Sequence, residues 1–195
     1  MNRRNSLLAC AAAGTMLMVA PQSDHAWAAS IGQPDAALKV FNERVESYAA
    51  LHRRLAPPPA SDKKDWLSRL LNGQYLAAAI RGERRDAQQG DIFTTDVARM
   101  FRARLADSIG ERDGEMFLLE LSDGERIVHV HPAVNEPYSM TQIYRVPPEV
   151  RLGLPHLPRE LDYRIAGRDL LLWDVDAGIV VDFLPDAFVS AVTTE

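Results

Sequence analysis

Apolar residues recur at alternating spacings of three and four from Leu38 onward: Leu38, Phe41, Val45, Tyr48, His52 and Leu55. Lys39, Glu43, Arg44, Glu46 and Arg53 fall between them. This period predicts an amphipathic helix over 35–55 with one inward stripe. Pro34 suits its first turn and Asp35 its positive end. The run Pro57–Pro59 stops it, because proline lacks the amide donor and clashes with the preceding turn. A second helix is expected to start near Ser61 or Asp62, both good N-caps. Its apolar face would use Trp66, Leu67, Leu70, Leu71, Ala77, Ala78 and Ile80, with Gly73 as a weak point. Thr94 or Thr95 caps a third, whose inward stripe is Val97, Phe101, Leu105 and Ile109, with Gly110 closing it. Residues 113–121, "DGEMFLLEL", fit a short helix or a strand equally.

The pattern changes from Arg126. "RIVHVHPAV" alternates and is β-branched, so it reads as extended chain. "VPPEVRLGLPHLPREL" is rich in proline and permits one helical turn from Pro148 before Pro155. "LDYRIAG", "DLLLWD" and "IVVDFL" follow, separated by Gly167-Arg168 and by Val175–Gly178, which is the layout of an antiparallel meander. The expected fold is therefore α+β: two long N-terminal helices and a third, packed on a small C-terminal antiparallel β-meander. Residues 29–121 are mainly helical in this reading, and 122–195 hold the extended, proline-rich and β parts.

The N-terminus precedes that domain with a different signal. Arg3 and Arg4 are followed by the uncharged, Ala-rich stretch Leu7–Ala20 and then by Ala26-Trp27-Ala28. That order predicts a signal peptide over 1–28, and a single exported domain over 29–195, in the periplasm or the medium. The apolar stretch is shorter than the roughly 20 residues that span a bilayer, so no span is expected after cleavage. Cys10 is the only cysteine and its apolar core follows rather than precedes it, unlike a lipoprotein signal. Cleavage after Ala28 removes it, together with any disulfide or thiolate chemistry. The formal net charge of −5 argues against nucleic-acid binding, which draws its affinity from cations that displace phosphate counterions.

"FNERVESYAALHRRL", "QGDIFTTDVA" and "VPPEVRLGLPHLPRELDYRIAGRDLLLWDVDAGIVVDF" resemble blocks of a family of small exported bacterial proteins of unknown function. The resemblance covers most of the chain after the signal. It implies export and a small domain, and it carries no activity and no site residues.

Candidate chemistry is sparse. "DLLLWDVD" resembles the first motif of haloacid-dehalogenase-type phosphatases, in which the first Asp attacks phosphorus and the second serves as acid and base. That chemistry needs a downstream lysine and an acidic pair, yet Lys39, Lys63 and Lys64 all precede Asp174 and no adjacent acids follow it. Asp174–Gly178 reads instead as a hairpin turn. His129 and His131 in "HVH" would share one face of a strand and are the metal-ligand candidates, with His156 or Glu136 to complete a site. The segment Gly178–Asp182 is weakly similar to one in periplasmic nickel- and cobalt-homeostasis proteins. His52 reads as a hydrogen-bonded histidine of the core or its rim. Arg81, Arg84 and Arg85 read as cations at a helix C-terminus before they read as an anion site. No catalytic residue and no cofactor is assigned. The reading is a non-enzymatic protein binding an unidentified protein or small-molecule partner. A carboxylate-dependent envelope hydrolase and a metal-binding accessory protein using His129 and His131 stand as alternatives.

Overall fold

A computed structural model describes residues 33–58, 65–110, 112–124 and 130–188. The signal segment, His129 and the expected caps Ser61 and Asp62 lie outside them. The chain builds helices α1 (Gln33–Leu55), α2 (Trp66–Glu83), α3 (Thr95–Ile109) and α4 (Gly114–Leu121). Strand β1 (Ile143–Arg145), a short helix α5 (Pro148–Leu152), and strands β2 (Leu161–Ala166), β3 (Asp169–Asp174) and β4 (Ile179–Leu184) follow. The sheet is antiparallel throughout, in the order β1-β2-β3-β4. The α+β expectation, helices first and meander last, is met. None of the described helices is long and apolar enough to cross a membrane.

The first and third helices bury the stripes their periodicity predicts. Phe41, Val45, Tyr48, Val97, Phe101 and Leu105 meet β2–β4 in one core. Phe101 is its centre, with Phe41, Phe93 and Tyr163 rings at 4.8, 5.0 and 5.9 Å. The ambiguous stretch 113–121 is helical, because Asp113 caps it through the Glu115 amide (2.9 Å) and Phe117 and Leu118 fall on one buried side.

Three features differ from the sequence reading. The described part of "RIVHVHPAV" is irregular. The extra strand is instead β1, which pairs Ile143 with Ala166 and Arg145 with Arg164. Three residues before a Val-Pro-Pro run carry too little alternation to be recognised as a strand. The second helix is capped at Asp65, whose carboxylate accepts from the Ser68 amide at 3.0 Å. Its expected apolar face is met only in part: Ala77 and Ile80 are buried, joined by Leu76, while Trp66, Leu67, Leu70 and Leu71 are exposed. The contact side is chosen by Gly73, which lies so close to the β3–β4 turn that an added Cβ would sit 2.7 Å from the Asp176 carbonyl oxygen. Glycine there permits close packing and is no simple flaw in the helix.

Both faces of β3 are covered, so its residues are buried without alternation. One face carries Leu170 and Leu172 into the helical core. The other carries Leu171 and Trp173 to Val180 and Phe183, with Val134, Tyr138 and Ile143 packed over them. A register shift in the β3–β4 pairing, opposite Leu172 and Trp173, marks a bulge. It lets the consecutive residues Val181 and Asp182 both serve the helical side.

Candidate functional site

Among the described residues four acids are buried: Glu160, Asp169, Asp174 and Asp182. Unpaired, each would be costly, so what they bind decides whether they are reactive or structural.

Asp182 receives the "QGDIF" segment. Its carboxylate accepts from the amides of Gly90 (2.9 Å), Ile92 (2.6 Å), Phe93 (2.8 Å) and Phe183 (2.8 Å). Burial pushes this carboxyl above its ordinary value, against the pull of those four donors. Asp174 ends β3. One oxygen accepts from the Asp176 and Ala177 amides at 3.0 and 2.7 Å, forming the expected turn, with Gly178 at φ 67°. The other accepts from Tyr48 Oη and pairs with His52 Nδ1, both at 2.7 Å. Asp169 accepts from the Asp186 amide at 3.0 Å and pairs with His131 Nδ1 at 2.9 Å. The acids of "DVD" thus hold a turn to α1.

His52 is buried, yet it borders a wide opening. Its Nε2 lies 3.5 Å from the carboxylate of Asp176, which is exposed. Burial works to lower the His52 pKa, but Asp174, Asp176 and Glu160 together outweigh it and raise it. A histidine raised on folding stabilises fully below its unfolded value of about 6.5, and that contribution is lost as pH rises through the folded value. The melting temperature of the wild type should therefore exceed that of His52→Gln most at pH 5.5, with the gap narrowing by pH 8.5. A gap independent of pH would show that His52 does not titrate across this range.

The opening is a groove of about 1390 Å³ between the C-terminal end of α1, α2 and the β3–β4 turn. Leu70, Leu76, Pro57, Pro58 and Val175 give it apolar walls, and Arg53, Arg69 and Arg159 bring cations. Arg53 and Arg159 reach Glu160 at 3.4 and 3.2 Å. Burial works to raise the Glu160 carboxyl, but its own backbone amide and these two arginines hold it below the usual value. Arg69 makes no ion pair among the described residues. A smaller cavity of about 620 Å³ lies beside Tyr48, where Arg54 meets Glu83 at 3.0 Å and Arg44 donates to the Asp91 carbonyl.

The arginines near the end of α2 are each engaged by acceptors of the protein, two of them by Asn135. Arg84 stacks on Tyr48 and donates to Asn135 Oδ1 (2.8 Å) and to the Val181 carbonyl (3.2 Å), which the bulge frees from the ladder. Arg81 donates to the Asn135 carbonyl at 3.0 Å and Arg85 to that of Gly82 at 3.0 Å. Their work is structural, as the sequence favoured. His131 stacks on Phe183 as well as meeting Asp169, and Glu136 faces Arg81 at 3.7 Å. Among the described residues no group of three or more His, Cys, Asp or Glu is placed to hold a metal ion. His129 lies outside those residues.

Sequence reasoning missed the groove and the tie at Asp182. One signal was present: Asp182 interrupts the otherwise apolar "IVVDFL", and no alternation explains it. Comparison with protein-family models, with curated proteins and with solved structures gives no match.

Proposed function

We propose that the chain is an exported, non-enzymatic binding protein whose groove takes an anionic ligand with an apolar body. The observation carrying this reading is the groove's make-up: three arginines, Arg53, Arg69 and Arg159, outnumber the lining carboxylates Glu160 and Asp176 beside the apolar walls of Leu70, Leu76 and Val175. Ligand sites commonly combine an apolar surface with a few charged groups that fix orientation. The export half rests on the order of charge, apolar stretch and small residues over 1–28.

The buried acids are poorly suited to the hydrolase alternative. Asp174 and Asp182 are occupied by internal donors, and both nitrogens of His52 face carboxylates. A histidine base serves to activate a hydroxyl or thiol, and the groups that the two His52 nitrogens meet are carboxylates instead. Glu160, held ionised by two arginines, is a poor proton donor.

The test begins with protein recovered from the periplasm or medium and its intact mass, which should start near Ala29. Calorimetric titration with laurate below its micellar concentration should then give saturable binding. Arg69→Ala/Arg159→Ala should weaken it about tenfold, equivalent to roughly 1.4 kcal/mol. Retention of residues 1–28 overturns the export reading. Absence of binding, or equal binding by the double variant, overturns the groove reading.

A further inference from the structure

Trp66 is the first residue of α2. By the helical period it lies about 20° round the helix from Gly73 and about 40° from Leu70. Both of those residues line the groove, so Trp66 continues its α2 wall by one turn. The wall opens in that direction: Leu76 is 2% exposed, Leu70 49% and Trp66 65%. Further in, the β3–β4 turn leaves no room for a side chain at Gly73. Along α2, a ligand therefore gains space only toward the helix start. The proline exit of α1 walls the same mouth, held to α2 by the Asn72 side chain, which donates to the Pro58 carbonyl at 3.2 Å. Trp66 belongs to neither apolar cluster of the fold, so packing does not account for its ring.

The charges of the groove point to the same end. Arg53 and Arg159 are tied to Glu160 at 3.4 and 3.2 Å, whereas Arg69 makes no ion pair among the described residues. The nearby Asp65 carboxylate is taken up by the Ser68 amide and hydroxyl. Arg69 follows Trp66 by three residues, a spacing that sets Cβ atoms roughly 5–6 Å apart on one side of a helix. Resting on the groove reading above, we infer that Trp66 is a ligand-contacting residue at the groove's mouth, where its ring covers the apolar body of an anion whose charged group Arg69 takes. A guanidinium beside an open indole matches the two halves of an amphiphile. A second charge on the ligand would fall against the indole or the walls of Leu70 and Leu76, where it would lose water without gaining a partner. The ligand class is therefore an amphiphile charged at one end only. A ring exposed to this degree leaves on the order of 100 Å² open, and covering half of it is worth nearly tenfold in affinity, at roughly the usual return for buried apolar area.

Tryptophan fluorescence reads this contact directly. Laurate, below its micellar concentration, should shift the emission of the exported protein to the blue and shield it from acrylamide, saturating with the calorimetric titration. The signal is expected from Trp66, because Trp173 is 5% exposed and packs in the cluster on the outer face of the sheet. In Trp66→Phe the emission change should vanish while calorimetry still finds laurate bound within about threefold of wild type, since a ring remains. Trp66→Ala should bind laurate about tenfold more weakly, with an unchanged far-ultraviolet circular dichroism spectrum. Tyr75 is 62% exposed and lies about 180° round the helix from Trp66, so Tyr75→Ala should bind as wild type does. Dodecanedioate, laurate with a second carboxylate, should bind at least tenfold more weakly than laurate. Calorimetric binding without an emission change overturns the contact and leaves the groove reading standing. An emission change that persists in Trp66→Phe overturns it too, as does equal affinity in folded Trp66→Ala, or equal weakening in Tyr75→Ala. Should Trp66→Ala unfold, the emission of Trp66→Phe decides. Equal affinity for dodecanedioate overturns the ligand class. No calorimetric binding of laurate at all overturns the groove reading and this inference with it.

Discussion

Asp182→Ala is expected to destabilise the protein by roughly 3–6 kcal/mol, since three amides from a distant loop would be left buried without an acceptor. Gly90, Ile92 and Phe93 all donate to this one carboxylate, and Ile92 and Phe93 are themselves buried. Each orphaned donor costs roughly 1–3 kcal/mol. The loss is offset in part, because the substitution also removes a carboxylate that burial disfavours. Domains of this kind are stable by roughly 5–15 kcal/mol in total, so the variant should be visibly close to unfolding at ambient temperature. Urea denaturation with an unchanged m-value is the measurement. Asp182→Asn keeps one acceptor oxygen but turns an amino group toward N–H donors, and should fall between wild type and alanine. A loss below about 1 kcal/mol in the alanine variant would mean that water reaches the loop and that Asp182 is no tie.

The same residue shows where the sequence was readable and where it was not. The stripes of α1 and α3 and the three apolar runs of the meander are local periodicities, and a periodicity survives in the sequence whatever it packs against. The hairpin at Asp174–Gly178 is also local, and its turn chemistry was visible. Asp182 bonds across ninety residues of chain, and no spacing encodes such a partner. The acids of "DVD" carried a false chemical signal for the same reason. An aspartate that binds Tyr48 and His52 across the core has the same letter as one that attacks phosphorus. The α2 error was different in kind. Apolar residues around its whole circumference left periodicity no side to choose, and the choice fell to Gly73, the one position where the turn can come close. The groove arises from that approach and from the Pro57-Pro58 exit of α1, so its lining comes from segments far apart in sequence.

The tryptophans offer the sharpest contrast between the two surfaces of this molecule. Trp173 is 5% exposed and Trp66 is 65% exposed. Trp173→Ala should cost roughly 3–5 kcal/mol, the range for removing a fully buried large ring. Trp66→Ala should stay within about 0.5 kcal/mol, as exposed sites do. The Trp173 ring belongs to the smaller cluster on the outer face of the sheet, with Val134 and Tyr138 over it. That cover has little regular structure of its own and is held to β4 by two backbone bonds, Asn135 N–H to Val180 (2.7 Å) and Val180 N–H to Glu136 (3.0 Å). Losing the ring should therefore free the cover before it unfolds the helical core. Hydrogen exchange should show early loss of protection at Asn135 and Val180 in Trp173→Ala, while the Phe101 and Leu105 amides of α3 stay slow until global unfolding. Simultaneous loss at both places would mean that the two faces of the sheet unfold as one unit. In that case Trp173 would be as central to the fold as Phe101, despite packing in a separate cluster.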